Sequence, residues 1–221
     1  MDKREIVVKG IGKASASPDL LVIDLNLEVV QPEYDKAMLV ATEHLDALRA
    51  AVVAAGHDRK SLKTTQFNVN TKYASYRDKS DNWKQKFIGY CCTHGLRLEF
   101  ELDMKKLGVT LGAIADCPAR PRFSIKFSVK DPSAVSEQLL QSAIENAKQK
   151  AEVLTIAAGV KLGAIKRIEY NWSEHHLYSQ TDFCLMESAA DYSASPRASA
   201  MDIEPEDIDV SDSVTVIWII E

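Results

Sequence analysis

The sequence lacks the segments that would place a protein in or across a membrane. Its 221 residues contain no apolar run near the ~18 residues that a transmembrane helix requires. The N-terminus, MDKREIVVKG, is charged and leads directly into a strand-like run, without the apolar core and cleavage site of a signal peptide. These absences predict a cytoplasmic protein, or a periplasmic or exported one if a leader has been removed.

Motifs of catalysis and cofactor binding are also missing. The four cysteines, Cys91, Cys92, Cys117 and Cys184, form neither a C-x-x-C pair nor a zinc framework, so we expect them to be reduced. The chain has no P-loop, no G-x-S-x-G elbow and no H-E-x-x-H sequence. We therefore predict no catalytic residues, no cofactor and no metal ligands, and we expect that the protein is not an enzyme.

One small-residue stretch, AAGVKLG at residues 157–163, resembles a nucleotide-binding loop. A phosphate-binding loop precedes a helix, because the N-terminus of a helix presents free N–H groups. Here Gly159 follows a helical segment and precedes the strand-like AIKRIEY, so phosphate would meet carbonyl oxygens and the negative end of the dipole. The order predicts that Gly159 ends the helix as its left-handed cap, as Gly56 does earlier in the chain.

The negative charge is concentrated in one segment. Residues 173–209 contain nine acidic residues and one basic residue, a net charge of −8, within a chain whose net charge is −5. The rest of the chain is therefore only slightly basic, at +3. A broad nucleic-acid-binding face requires a larger basic excess, so the charge pattern argues against that class of partner.

Apolar periodicity predicts the fold class. The segments LLVIDLNLEVV, TTQFNVNTKY, LRLEFELD and RFSIKFSVK alternate with period two, which is typical of strands with one buried face in mainly antiparallel sheets. Helical stripes run from Met38 to Ala55 and from Leu140 to Ala158 at steps of three and four. We predict an α+β fold in which each helix packs on a sheet; a coiled-coil partner face is the alternative.

The predicted elements occur in the same order twice. An N-terminal strand is followed by two β-α-β-β units, each with the letters AAG after its helix, and a short helix near Met104 to Ala115 joins them. This order indicates an internal repeat. The predicted boundaries are 1–102 for the first α+β repeat, 103–121 for the connection and 122–221 for the second repeat, with an acidic insertion at 173–209.

The two repeats differ at their hairpin tips, which predicts where partners bind. Residues 72–86 carry five basic and two acidic side chains together with Tyr73, Tyr76 and Trp83, whereas the second tip is the acidic insertion. Opposite charges would steer one copy against the next, head to tail, in a ring-like homo-oligomer that weakens with salt. A different protein partner, or single-stranded nucleic acid stacked on the aromatic rings, is the alternative. The candidate partner-binding residues are Tyr73, Tyr76, Trp83, His175, His176 and Tyr178.

One cluster offers an enzymatic or metal-binding alternative. His175 and His176 lie close in sequence to Glu174, Asp182 and Cys184. A metal site needs three or four such ligands to converge, and adjacent histidines seldom bind one ion. A metal-binding protein or hydrolase that uses this segment predicts stoichiometric zinc or iron that is lost in a His175→Ala variant.

Four stretches of the chain resemble the SIMPL-domain family, whose members include bacterial periplasmic and surface antigens. They are VVKGIGKASASPDLLVIDL, LKTTQFNV, AIENAKQKAEVLTIAAGVKLGAIKRIEY and IEPEDIDVSDSVTVIWII. The chain departs from the family in lacking a visible signal peptide and in having DCPARPR before its predicted third strand. The resemblance implies an α+β fold and self-assembly, and it implies no established reaction. We therefore predict a non-enzymatic, self-associating protein whose role is binding, scaffolding or linked to stress.

Overall fold

The computed structural model describes residues 4–77, 81–170, 177–181 and 204–221. Within these ranges, two antiparallel sheets and three helices confirm the predicted α+β class with its N-terminal strand. After that first strand the order strand, helix, strand, strand occurs twice, although an internal repeat remains a prediction. The elements are β1 (Glu5–Ala16), β2 (Leu20–Gln31), α1 (Tyr34–Ala54), β3 (Leu62–Arg77), β4 (Trp83–Glu101), α2 (Met104–Ala115), β5 (Arg122–Ser128), α3 (Pro132–Ala158), β6 (Leu162–Glu169) and β7 (Ile208–Ile220).

The ends of α3 follow from its sequence. The Asp131 carboxylate accepts hydrogen bonds from the N–H groups of Ser133 and Ala134, which would otherwise lack partners at the start of the helix. Pro132 occupies the first turn, where a missing N–H costs nothing. At the other end Gly159 has φ 69° in the left-handed region. The prediction that Gly159 ends the helix is therefore confirmed.

Contacts divide the chain into two compact units, and the four-stranded unit contains residues 20–127 and 181–204. Its sheet has the order β3-β4-β2-β5. Apolar residues of β2 at alternate positions share one face with those of β4 and β5, and α1 and α2 cover this face. Leu48, Leu98 and Phe127 are fully buried there. The opposite face of the sheet is polar, as the period-two pattern predicts.

The three-stranded unit contains residues 1–19, 128–180 and 205–221, and its sheet has the order β1-β7-β6. Strand β1 pairs with β7 along its whole length, from Glu5 opposite Ile219 to Ala16 opposite Ile208. The boundaries predicted at residues 102 and 122 remain a prediction; the structure places β1 beside β7 and β5 beside β2.

Small side chains of α3 bring this helix close to β1. Ala143, Ala147 and Ala151 are completely buried against Val8 and β7. On β1, a Cβ at Gly10 would lie 2.0 Å from the carbonyl oxygen of Ala143, and one at Gly12 would lie 2.1 Å from that of Leu139. The buried face of α3 thus follows alanines spaced four apart, whereas Leu154, a member of the predicted stripe, is half exposed.

The same helix covers the outer edge of β1. Three side chains of α3, spaced four residues apart, bond to backbone atoms of three β1 residues spaced two apart. These bonds, the edge cover, join Lys13 N to Ser142 Oγ (3.2 Å), Ile11 N to Asn146 Oδ1 (3.0 Å) and Lys150 Nζ to Lys9 O (3.1 Å). Since an unpaired strand edge is a template for pairing with another chain, the edge cover removes one such template.

Candidate partner-binding site

The β3–β4 hairpin extends beyond the rest of its sheet. Strand β2 pairs with β4 only as far as Gln31 opposite Tyr90, whereas β3 and β4 continue to pair as far as Arg77 opposite Trp83. We call this two-stranded extension, residues 72–77 and 83–89, the arm. Most side chains of the arm are exposed. The arm therefore presents two faces to its surroundings.

One face of the arm carries a continuous row of aromatic rings. Tyr73 lies directly opposite Phe87, and their ring centroids are 5.7 Å apart. Phe87 contacts Tyr90 at 5.5 Å, and Tyr90 contacts Tyr34 at the start of α1 at 5.6 Å. All three contacts are edge-to-face, a favourable geometry for aromatic pairs. The row runs from the covered part of the sheet onto the exposed arm.

The structure brings together only two of the three aromatic residues predicted for this tip. Tyr73 lies on the aromatic face because it pairs with Phe87. Arg77 is four residues further along the regular strand β3 and so lies on the same face, and its partner Trp83 lies there too. The Arg77 guanidinium lies over the Trp83 ring at 5.0 Å. Tyr76 points to the opposite face, beside Lys84. Trp83 is 67% exposed and Tyr73 is 52% exposed, so both rings are accessible.

Sequence reasoning did not identify Phe87, Tyr90 and Tyr34 as members of the row. The cause is a bulge: Lys72 pairs with Gly89 and Tyr73 with Phe87, so Ile88 is an extra residue in β4. The bulge shifts the alternation of β4 and places Phe87 and Tyr90, three residues apart, on the same face. The signal that could have indicated it is Gly89, which has φ 149°.

The other predicted contact residues are only partly described. His175 and His176 lie outside the described residues, as do Asp182 and Cys184. Tyr178 lies in the three-stranded unit, where it forms a bridge with Ser128, and its neighbour Leu177 is buried and accepts a hydrogen bond from Ser128 Oγ at 2.7 Å. The predicted acidic insertion thus includes an anchored stretch at residues 177–181 and the start of β7 at Ile208.

The polar face of the four-stranded sheet carries two neutralised carboxylates. Glu28 accepts bonds from Lys72 and Arg122, both at 2.7 Å, and its pKa is lowered, chiefly by the hydrogen bond from Lys72. Asp24 accepts bonds from Arg97 at 2.7 Å and Lys126 at 3.0 Å. Burial opposes ionisation of Asp24, but these two bonds outweigh it, and its pKa is lowered.

These ion pairs link neighbouring strands of the sheet, and because they lower the pKa values of Asp24 and Glu28 they make the two carboxylates unsuitable as general acids or bases. Both carboxylates are ionised at neutral pH, whereas a general acid or base needs a pKa close to the working pH.

Two buried histidines of the same unit act in packing. The His57 Nε2–H group donates to Thr110 Oγ1 at 2.7 Å, since the Thr110 hydroxyl donates to the Lys106 carbonyl. His94 shares a 2.9 Å hydrogen bond with Thr64 and packs edge-on against Phe67. Burial lowers the pKa of each imidazole, and the charge of Lys106 lowers that of His57 further.

We expect the free energy of unfolding to fall when the pH is lowered from about 7.5 to about 5. Histidine in the unfolded chain titrates near pH 6.5, whereas the buried imidazoles stay neutral to lower pH, so the unfolded chain binds more protons in this range. The slope is at most about 1.4 kcal/mol per pH unit for each histidine. Urea denaturation at several pH values measures it.

A His94→Gln variant is the control, because glutamine keeps a hydrogen-bonding group beside Thr64 but does not titrate. Its pH dependence should be smaller than that of the wild type between pH 7.5 and 5. Asp24 and Glu28 contribute little there, because their lowered pKa values restrict their loss of stability to pH values below about 5. Equal slopes in the two proteins would show that His94 does not carry the effect.

Within the described residues, no group of three His, Cys, Asp or Glu side chains could hold a metal ion. In the same ranges no helix combines the length and the apolarity that crossing a bilayer requires. The hypothesis of a metal site around His175, His176 and Cys184 falls outside the described residues.

Comparisons with known proteins agree with the resemblance seen in the sequence. The model of the SIMPL family, described as a protein of unknown function (DUF541), matches residues 6–218. The 26 kDa periplasmic immunogenic protein of Brucella melitensis biotype 1 is 28% identical over 164 residues, which are 74% of this chain and 65% of the relative. The protein of the same name from Brucella abortus (strain S19) is 27% identical over the same share of each chain. The match thus spans less than two thirds of either relative.

The names of these relatives bear on location. Both are called periplasmic, which conflicts with the predicted cytoplasmic location and fits the fallback prediction of a periplasmic or exported protein.

Proposed function

The chain belongs to the SIMPL family of proteins of unknown function, and from that premise we propose that it is an exported, non-enzymatic binding protein that self-associates through the arm. The observation that carries this proposal is the exposed aromatic face of the arm. Trp83, Tyr73 and Phe87 are large rings on one face of a projecting hairpin, and each is more than two-fifths exposed. Clustered exposed apolar residues mark interaction surfaces, and Trp and Tyr are frequent hot spots in them.

Charge supports a second copy of the chain as the partner. Residues 72–86 have a net charge of +3, whereas residues 173–209 have a net charge of −8. Contact between unlike surfaces of two copies is heterologous, and such contacts either close into a ring or extend as a filament. Attraction between exposed charges steers the encounter and is screened by salt, so association should weaken as ionic strength rises.

Two kinds of observation support, separately, a non-catalytic binding role and export from the cytoplasm. The perturbed carboxylates are held ionised by paired cations, and the histidines with lowered pKa values are buried in packing positions. Neither arrangement suits catalysis at neutral pH. The periplasmic names of the two relatives support export.

Sedimentation velocity tests this proposal. We expect wild-type protein to associate at about 50 mM NaCl and to dissociate in part at about 500 mM NaCl. A variant with Tyr73, Trp83 and Phe87 changed to serine should associate at least about 30-fold more weakly, since the loss of even one hot-spot side chain costs about 2 kcal/mol or more. The arm lies outside the buried core, so the variant should keep its far-UV circular dichroism.

A matched control removes equally exposed apolar side chains elsewhere in the same unit. Leu39 on α1 and Val109 on α2 are 60% and 58% exposed, and their double change to serine should leave association unaltered. The proposal is wrong if the arm variant and this control associate equally, or if wild-type protein stays monomeric at low salt.

A further inference from the structure

The edges of the two sheets are protected to different extents. The edge cover occupies the outer side of β1. At β6 two register shifts interrupt the pairing with β7, and irregularities of this kind discourage pairing with another chain. Strand β5 has only seven residues. Strand β3 is the long exception, with 16 residues at the edge of its sheet.

Strand β3 also has the regularity that strand pairing needs. From residue 66 to residue 77 it contains no inserted residue of its own, because the bulge near Lys72 belongs to β4. The stretch has neither proline nor an acidic residue. Among the described residues, no strand pairs with its outer side. Its outward N–H and C=O groups can therefore form a ladder with an added strand.

We propose that the outer edge of β3 binds an extended segment of another polypeptide by strand addition, and that this segment alternates apolar and acidic side chains. From the proposed function the inference takes only that the hairpin is a binding surface. Strand addition derives affinity from backbone hydrogen bonds and specificity from contacts of alternate side chains.

The apolar requirement comes from one face of β3. Phe67, Val69 and Tyr73 occupy alternate positions on the face that also carries the aromatic row. Phe67 is 42% exposed and Val69 is partly buried, so an added strand would cover them further. Side chains at every second position of the incoming segment meet this row, and apolar residues there bury surface on both partners.

The acidic requirement comes from charge, and it also excludes a second copy of β3. The strand contains Lys63, Lys72 and Arg77 and no acidic residue. Lys72 and Arg77 already bind Glu28 and Asp81, and β3 has no carboxylate to offer to a second copy, so two copies of β3 side by side would gain no charge complementarity. An incoming strand with carboxylates at the positions between its apolar residues has the complementary charge.

Fluorescence anisotropy with the labelled peptide EVEIDVEVT tests the proposal on the full chain. We expect saturable binding that weakens at least about tenfold between about 50 mM and about 500 mM NaCl. The peptide EVEPDVEVT should not bind, because proline removes a donor from the ladder and disrupts the strand. A Phe67→Lys variant should bind at least about tenfold more weakly, since it places a charge in the apolar row.

A matched control and a second measurement distinguish a loss of peptide binding from a loss of folding. Val109→Lys introduces the same charge at an exposed site on α2 and should bind the peptide as the wild type does. Hydrogen–deuterium exchange of wild-type protein should show new protection in residues 66–77 when EVEIDVEVT is added. The inference is overturned if the proline peptide binds equally well, or if the peptide adds protection only outside residues 66–77.

The two proposals fail separately. If peptide binding at β3 is observed while the arm variant associates as the wild type does, self-association through the arm is wrong and strand addition stands. If the arm variant dissociates and the peptide does not bind, the reverse holds.

Discussion

Replacing Gly10 with alanine should lower the free energy of unfolding by about 3 kcal/mol or more, the upper range for overpacking a core. The added Cβ would lie 2.0 Å from the carbonyl oxygen of Ala143 and 2.7 Å from the Cβ of Ala147. Neither atom belongs to a flexible side chain, so α3 would have to move away from β1. That movement would also break the hydrogen bonds of the edge cover. Urea denaturation followed by circular dichroism measures the loss.

Gly112 provides a matched control with the opposite sign. It lies within α2, and a Cβ at this position would meet no atom within 4 Å. Gly112→Ala should therefore stabilise the protein by up to about 1 kcal/mol, because alanine has the higher helix propensity. Equal effects of the two substitutions would contradict the close approach of α3 to β1.

Replacing Gly89 with alanine should destabilise the protein by about 2 kcal/mol and disturb the arm. Gly89 has φ 149°, which alanine rarely adopts, and strain of this kind costs on the order of 1–3 kcal/mol. The added Cβ would also lie 2.3 Å from the carbonyl oxygen of Gln31. Since Gly89 forms the bulge that aligns Phe87 with Tyr90, self-association should weaken in parallel with stability. Denaturation and sedimentation velocity measure the two effects.

Gly95, on the same strand, is the control for Gly89. Its Cβ would meet the Thr65 hydroxyl at 3.0 Å and the Gln66 Cβ at 3.4 Å, contacts that small side-chain movements relieve. Gly95→Ala should cost less than half as much stability and leave association unchanged. A larger loss at Gly95 than at Gly89 would show that the bulge is not held by the glycine.

Local signals in the sequence were sufficient for the elements and their ends. The predicted short helix from Met104 to Ala115 has the same bounds in the structure, because Asp103 caps it through the N–H groups of Lys105 and Lys106. Gly159 ends α3 because it directly follows the helix and adopts the left-handed conformation that glycine tolerates. Both features depend on neighbours within a few residues, which a sequence displays directly.

Long-range features could not be predicted from the same patterns. The partner of β1 is β7, about 200 residues away, and period-two alternation says nothing about which strands pair. The predicted stripe of α3 included Leu154, yet alanines spaced four apart form the buried face because Gly10 and Gly12 admit the helix so closely. At the candidate site, the extra residue Ile88 in β4 placed Phe87 and Tyr90, three residues apart, on the same face.

The edge cover can extend over only a few residues, because the spacing of every fourth residue along α3 differs from the spacing of every second residue along β1. Four residues of α-helix advance about 6.0 Å, whereas two residues of strand advance about 6.6–6.8 Å. If a helix position lies level with its strand partner at Asn146 and Ile11, each further pair is offset along the strand by roughly 0.7 Å more. The next helix position beyond Lys150 is Leu154, which has no polar atom to offer. A straight helix can therefore shield only a short stretch of strand edge, and a longer β1 would need protection of another kind.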